Sequence, residues 1–328
     1  MMRQAGRYLP EYQAVRQKAD FLTVCKTPDL AVEVSLQPWR RFAMDGVIVF
    51  SDILIPLEAM GTPLVFRDPG GPHLPQPVRS VADAERLGVP DPHDTMGFVM
   101  QALATLRQSL PSEVGVLGFA GAPWTLASYL VEGGTSRNFT HLKAWLYDDP
   151  ASLHRLLTKL ADVVTVYLNA QIEAGADVVQ LFDTWAGILS PSLYRQWVLP
   201  YHQRILAGLN RHAAPVVLFV NGSAHVLEML VEAGPDVISL DTAHDLAVAR
   251  RSIGPDIAVQ GNLDPNALFA HADVAVRLTD GLLAAGGTQG YVFNLGHGVL
   301  PKTPVETVAR VIERVRSASQ RECTPTTA

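Results

Sequence analysis

The feature that most constrains this chain is an alternation of two patterns. Short, almost wholly apolar runs recur along the sequence, separated by stretches whose apolar residues follow helical spacing. Seven runs stand out: Val47–Phe50, Val114–Phe119, Val178–Phe182, Val216–Val220, Val237–Leu240, Ile257–Val259 and Tyr291–Leu295, with an eighth expected near Leu64–Phe66. A strand covered on both faces loses the in–out alternation of a half-exposed strand, so such runs read as interior strands of a parallel sheet. Between them, Ala151–Glu173, Pro191–Asn210, His225–Glu232 and Pro304–Ala318 have helical period. Repeated strand–helix units with right-handed crossovers leave two architectures, a closed barrel or an open doubly wound sheet.

The residues just past the apolar runs favour the barrel. The runs lead into Asp52, Gly121-Ala122-Pro123, Asp183-Thr184, Asn221-Gly222, Asp241-Thr242, Asn262-Leu263-Asp264 and Gly296-His297-Gly298. Any one of these groups serves equally well as a helix cap or turn former. Together they would converge on the C-terminal face of the strands, where barrel enzymes keep their chemistry. We therefore expect one α/β domain, a (β/α)8 TIM-type barrel over residues 1–318, with a polar, disordered tail at 319–328.

Composition narrows the partners. The formal charge is −6 and no basic run exceeds the pairs Arg40–Arg41 and Arg250–Arg251, which disfavours nucleic acid. No apolar run is long enough to span a bilayer, and the first residues lack the apolar core of a secretory signal, so neither membrane insertion nor export is expected. The two cysteines, Cys25 and Cys323, form no disulfide framework and fit a cytoplasmic protein. The ten histidines show no HExxH or His-x-Cys spacing, so no metal site is expected. No GxSxG elbow and no phosphate-cradling glycine loop occur either, which leaves serine-nucleophile and nucleotide chemistry without support.

Several polar residues remain as candidates. Arg3 and Arg7 lie four residues apart, on one face if a helical turn forms, with Arg16 further on. Guanidinium groups bind carboxylates bidentately, so the cluster suits a polycarboxylate, although surface ion pairs would account for it equally. Asp52, flanked by apolar residues, can stay ionised only with good donors, such as convergent N–H groups of a ligand. It could also cap the next turn of the chain. His297, between two glycines, could donate a hydrogen bond, carry a proton or simply occupy a turn. Tyr129 and Thr184 offer hydroxyls at comparable positions.

These residues sit in blocks that resemble one family. The segment Met2-Arg3-Gln4-Ala5-Gly6-Arg7-Tyr8-Leu9-Pro10-Glu11 is similar to the signature near the start of uroporphyrinogen decarboxylases. Further blocks agree in order: Phe50-Ser51-Asp52-Ile53-Leu54, Gly118 to Thr125, Tyr129 to Gly134, Gln260 to Pro265 and Asn294 to Gly298. The resemblance implies a distorted barrel, commonly a homodimer, that uses no metal or organic cofactor. Its substrate would be uroporphyrinogen, whose four acetates lose CO2 to give coproporphyrinogen. On this resemblance Arg3 and Arg7 bind substrate carboxylates, with Gln4 and Arg16 weaker members of the substrate-binding set. Asp52 faces the pyrrole N–H groups, and Tyr129, Thr184 and His297 line the cleft; Asp52 and Arg3 carry the catalysis. Members usually have residues ahead of the arginine segment, whereas this sequence begins within it, so Arg3 is expected to be loosely held. The family usually has Ser where Thr184 stands, a change that keeps the hydroxyl. Two rivals share the resemblance: a corrinoid-related methyltransferase, which would need a zinc site, and a non-catalytic tetrapyrrole carrier.

Overall fold

The computed structural model describes residues 2–67 and 70–322. Seven strands form one parallel sheet: β1 (Gly46–Ile48), β4 (Gly115–Gly121), β5 (Val178–Asp183), β6 (Val216–Val220), β7 (Val237–Ser239), β8 (Ala258–Leu263) and β9 (Tyr291–Leu295), in that spatial order. Each is joined to the next by helical connections, as parallel pairing requires. The sheet curls, and the architecture is the α/β, TIM-type barrel expected of the alternation. Val216, Leu218 and Val220 are fully buried, and Val217 and Phe219 nearly so, which is why β6 shows no polar alternation. No helix among the described residues is long and apolar enough to cross a membrane.

The eighth expected strand is not in this sheet. β2 (Val65–Arg67) pairs antiparallel with β3 (Gly71–His73) in a separate two-stranded ribbon. Val65 is exposed, and β3 carries Pro72, which has no N–H to donate to a ladder, so neither strand suits an interior position. Phe66 packs instead on Phe21, with ring centroids 4.5 Å apart.

The chain's own beginning stands at the seam between β9 and β1. The Gln4 side chain acts there as a surrogate strand residue: its Nε2 donates to Gly46 O and its Oε1 accepts from Ile48 N–H, each at 3.0 Å. On the other side, Met2 O accepts from the N–H of Val299, just past β9, at 3.2 Å. Ala5, Tyr8, Leu9 and Tyr12 then pack with Leu263, Leu295, Val299, Val308 and Val311 in a core cluster of their own. Residues 5–12 and the last helix thus meet on one side of the barrel.

The helices depart from expectation at two places. The stretch 191–210 is two helices, Pro191–Trp197 and Leu199–Gly208, separated at Val198. Pro200 in the first turn of the second helix lacks an N–H and crowds the preceding turn, which breaks the helix there. The last helix, Val305–Glu322, runs into the segment read as a tail, and residues 323–328 lie outside the described residues.

Candidate active site

β1 hands the chain to the site. After Val49 N–H donates to Leu117 O at 3.0 Å, the backbone leaves the sheet, and the Ser35 hydroxyl takes the Phe50 N–H at 2.8 Å. Asp52 stands in the resulting turn, and its Oδ1 accepts from Leu54 N–H at 2.9 Å. The short helix Ile55–Ala59 comes next, with Pro56 in its first turn where the missing donor costs nothing. Asp52 therefore does satisfy a local backbone donor, as a cap would. That bond does not hold its acidity near that of a free carboxyl. Burial raises the Asp52 pKa to about 6, outweighing the Leu54 bond and the opposing charge of Arg3.

Arg3 reaches the same region from the seam. Its backbone is left-handed, with φ of 55°, and Gly298 leaves room for its side chain: a Cβ at Gly298 would stand 2.6 Å from the Arg3 Cδ. The residues on either side are tied down by Met2 O and the Gln4 amide, so Arg3 is held rather than loose. Its side chain is exposed at the surface, and Gly298 packs against its Cγ and Cδ. Partial desolvation of the guanidinium lowers its pKa, Arg7 adds to the effect, and Tyr129 and Asp52 oppose it. Arg3, Arg7, Asp52 and Tyr129 are thus one electrostatic group. Arg7 is exposed, and Gln13 Nε2 donates to its carbonyl at 2.8 Å. Arg16 lies over the Phe21 ring, 5.6 Å from the centroid, and its buried Nε has no hydrogen-bond partner among the described residues.

Two further candidates complete the group. Tyr129 projects from the helix Pro123–Glu132, and burial lifts its pKa, so the phenol keeps its proton and can donate. His297 Nδ1 accepts from the N–H of Gly298 at 2.8 Å, which leaves Nε2 as the protonated nitrogen of the neutral ring. Burial, helped by Arg3 and opposed by Asp241, lowers the His297 pKa, so the neutral donor is the form present at pH 7. Of the roles open to His297, hydrogen-bond donation is the one this geometry favours.

Thr184 and Gln4 stand apart from these. Thr184 is half-buried just past β5, between the fully buried Asp183 and the half-buried Trp185. Gln4, expected among the substrate contacts, is 1% exposed and has both ends of its amide committed to β1. Its place is structural, because an amide that completes a strand edge has little left to offer a ligand.

Sequence reasoning passed over the aromatic lining. Phe119, Phe182 and Phe219 stand on neighbouring strands with successive ring centroids 5.8 Å apart, and Phe219 meets His297 at 6.2 Å. Phe50 meets Tyr12 at 5.7 Å and Phe21 at 5.6 Å. The signal was available, since Phe182 and Phe219 each come just before the polar end of an apolar run and share one register. It was hidden because a phenylalanine in such a run reads first as core. Among the described residues, no three His, Cys, Asp or Glu side chains converge as metal ligands.

Comparison with known proteins identifies the relatives of this chain. Residues 1–318 match the family described as uroporphyrinogen decarboxylase (URO-D). A uroporphyrinogen decarboxylase of Shigella dysenteriae is 47% identical over 327 residues, 98% of this chain and 92% of that protein. Another, from Myxococcus xanthus, is 47% identical over 315 residues, 96% of this chain and 90% of that protein. Among solved structures, a methyltransferase from Methanosarcina mazei superposes with a TM-score of 0.80 at 21% identity, covering 93% of this chain and 90% of its own, which speaks to fold alone. With the signature segment, the strand-end blocks and near full-length identity in agreement, the chain belongs to the uroporphyrinogen decarboxylase family.

Proposed function

We propose that this protein is a carboxy-lyase that removes CO2 from the four acetate side chains of uroporphyrinogen III to give coproporphyrinogen III. The observation that carries the reading is Asp52, an under-partnered carboxylate with Arg3 and Tyr129 in electrostatic reach and Arg7 beside Arg3. A flexible, reduced macrocycle can turn its pyrrole N–H groups toward one carboxylate while its rim carboxylates meet arginines. Those N–H groups supply the donors that Asp52 lacks and draw its pKa back down.

The substrate is its own electron sink. A proton added to the ring carbon beside the acetate-bearing carbon makes the pyrrole cationic. The electron pair of the breaking C–CO2 bond then flows into the ring, and CO2 leaves. Protonation of the exocyclic carbon and loss of the first proton restore the pyrrole, now bearing a methyl group. Asp52 stabilises the cationic ring through a preorganised charge. Arg3 keeps its own proton, so it acts by holding the carboxyl or water that delivers one. Arg7 and Arg16 hold further carboxylates, Tyr129 and His297 donate hydrogen bonds to the substrate, and Thr184 contributes a hydroxyl. Family resemblance supports a homodimer, to be checked by sedimentation, and the cysteine usage supports a cytoplasmic place of action.

The test is an anaerobic incubation with chemically reduced uroporphyrinogen in excess chelator. Products with seven, six, five and finally four carboxyl groups should appear in turn. Loss of CO2 release in chelator would show that the decarboxylation needs a metal, and binding without CO2 release in either condition would point to a carrier or a methyltransferase.

A further inference from the structure

Asp183 ends β5 one residue before Thr184, and it points away from the site. Successive side chains of a strand face opposite sides. Phe182 accordingly meets Phe119 and Phe219 on the neighbouring strands, while Asp183 enters the layer between sheet and helices, with no exposed surface. There its Oδ1 accepts from the Thr125 hydroxyl at 2.6 Å, and its Oδ2 lies 2.9 Å from Nε2 of His202, which is also fully buried. Tyr194 OH stands 3.3 Å from Nδ1 of that histidine, and the Trp185 N–H donates to Thr125 Oγ1 at 3.1 Å. The result is one unbroken chain of hydrogen bonds, Tyr194–His202–Asp183–Thr125–Trp185.

Its Thr125–Trp185 end matters to the site. Thr125 lies in the first turn of the helix Pro123–Glu132, four residues before Tyr129 and so on the same face. The Trp185 N–H immediately follows Thr184, and the Trp185 ring meets that of Tyr129 at 6.3 Å. The Thr125–Asp183 bond therefore ties the helix that carries Tyr129 to the strand end that carries Thr184. We propose that Asp183, Thr125 and His202 are positioning residues that set the spacing of the Tyr129 and Thr184 hydroxyls for substrate binding. They touch no substrate themselves. The proposal rests on the decarboxylase reading above, and the wild-type assay separates the two: failure there removes the reading, whereas this inference is judged on variants of an active enzyme.

Thr125→Val deletes the hydroxyl at nearly constant volume, and Thr125→Ser restores it. Because Tyr129 and Thr184 would hold ground state and transition state alike, Thr125→Val should raise KM about tenfold with kcat within about threefold of wild type. Thr125→Ser should return KM to within about threefold of wild type. A merely structural role predicts the reverse split: fewer folded molecules lower the apparent kcat and leave KM unchanged. That result, or equal KM in all three proteins, overturns the proposal. Should the valine variant fail to fold, Thr125→Cys, which keeps a weak donor toward Asp183, carries the same test, with an intermediate KM expected and an unchanged KM overturning it.

Discussion

Asp52 and Asp183 make an instructive pair. Both follow apolar runs of the parallel sheet, both lie at its C-terminal face, and both read alike along the chain. Asp183 is sealed from water and engaged through both oxygens, by Thr125 and His202. Asp52 is only half-buried, has one protein donor in Leu54, and is held toward its protonated form. A buried carboxylate must be fully partnered to be tolerated. One that is under-partnered beside arginines is a group whose missing donors come from a ligand. Burial alone would have chosen the wrong aspartate.

Asp183→Ala leaves His202 and Thr125 buried without their acceptor and should cost about 3–5 kcal/mol in denaturant unfolding. A loss below about 1 kcal/mol would mean the network is not what holds β5 to its helices.

Asp52→Asn should act in the opposite sense on stability while costing activity. Removing a preorganised charge should lower turnover by roughly a hundredfold, or about 3 kcal/mol, and abolish the acid limb near pH 6 that the wild-type kcat/KM profile should show. The same change should stabilise the folded chain at neutral pH by about 1–3 kcal/mol, since ionising Asp52 costs more in the folded than in the unfolded state. The sign follows from its raised pKa. Between pH 3.8 and about 6 the folded state binds more protons, so wild-type stability falls as pH rises through that window and levels off above it. The gain in the variant should therefore be complete above pH 6 and vanish below about 4. Equal thermal midpoints of the two proteins at pH 7.5 would show that Asp52 has other partners in the free enzyme.

The smallest effect is expected at the seam. Gln4→Ala orphans the edge of β1 and should cost about 1–3 kcal/mol while raising KM through a loosened Arg3. Direct substrate contact would instead raise KM with no change in the denaturation midpoint.

Much of this protein is legible in the chain alone. The parallel sheet follows from apolar runs without alternation, because burial on both faces is a local property of each strand. Asp52 and His297 stood out as candidates because strand ends and glycine-flanked turns are local signals too, and Arg3 because it lies four residues from Arg7. Three features belong to the tertiary structure. The seam is one: that Gln4 would complete β1 depends on residues more than forty positions away. The fate of Leu64–Phe66 is another, decided by the ribbon partner around Pro72. The division of labour between Asp52 and Asp183 is the third, because it depends on which side chains surround each carboxylate after folding. A carboxylate's pKa is set by burial and by donors from distant segments, and neither is encoded in the residues next to it.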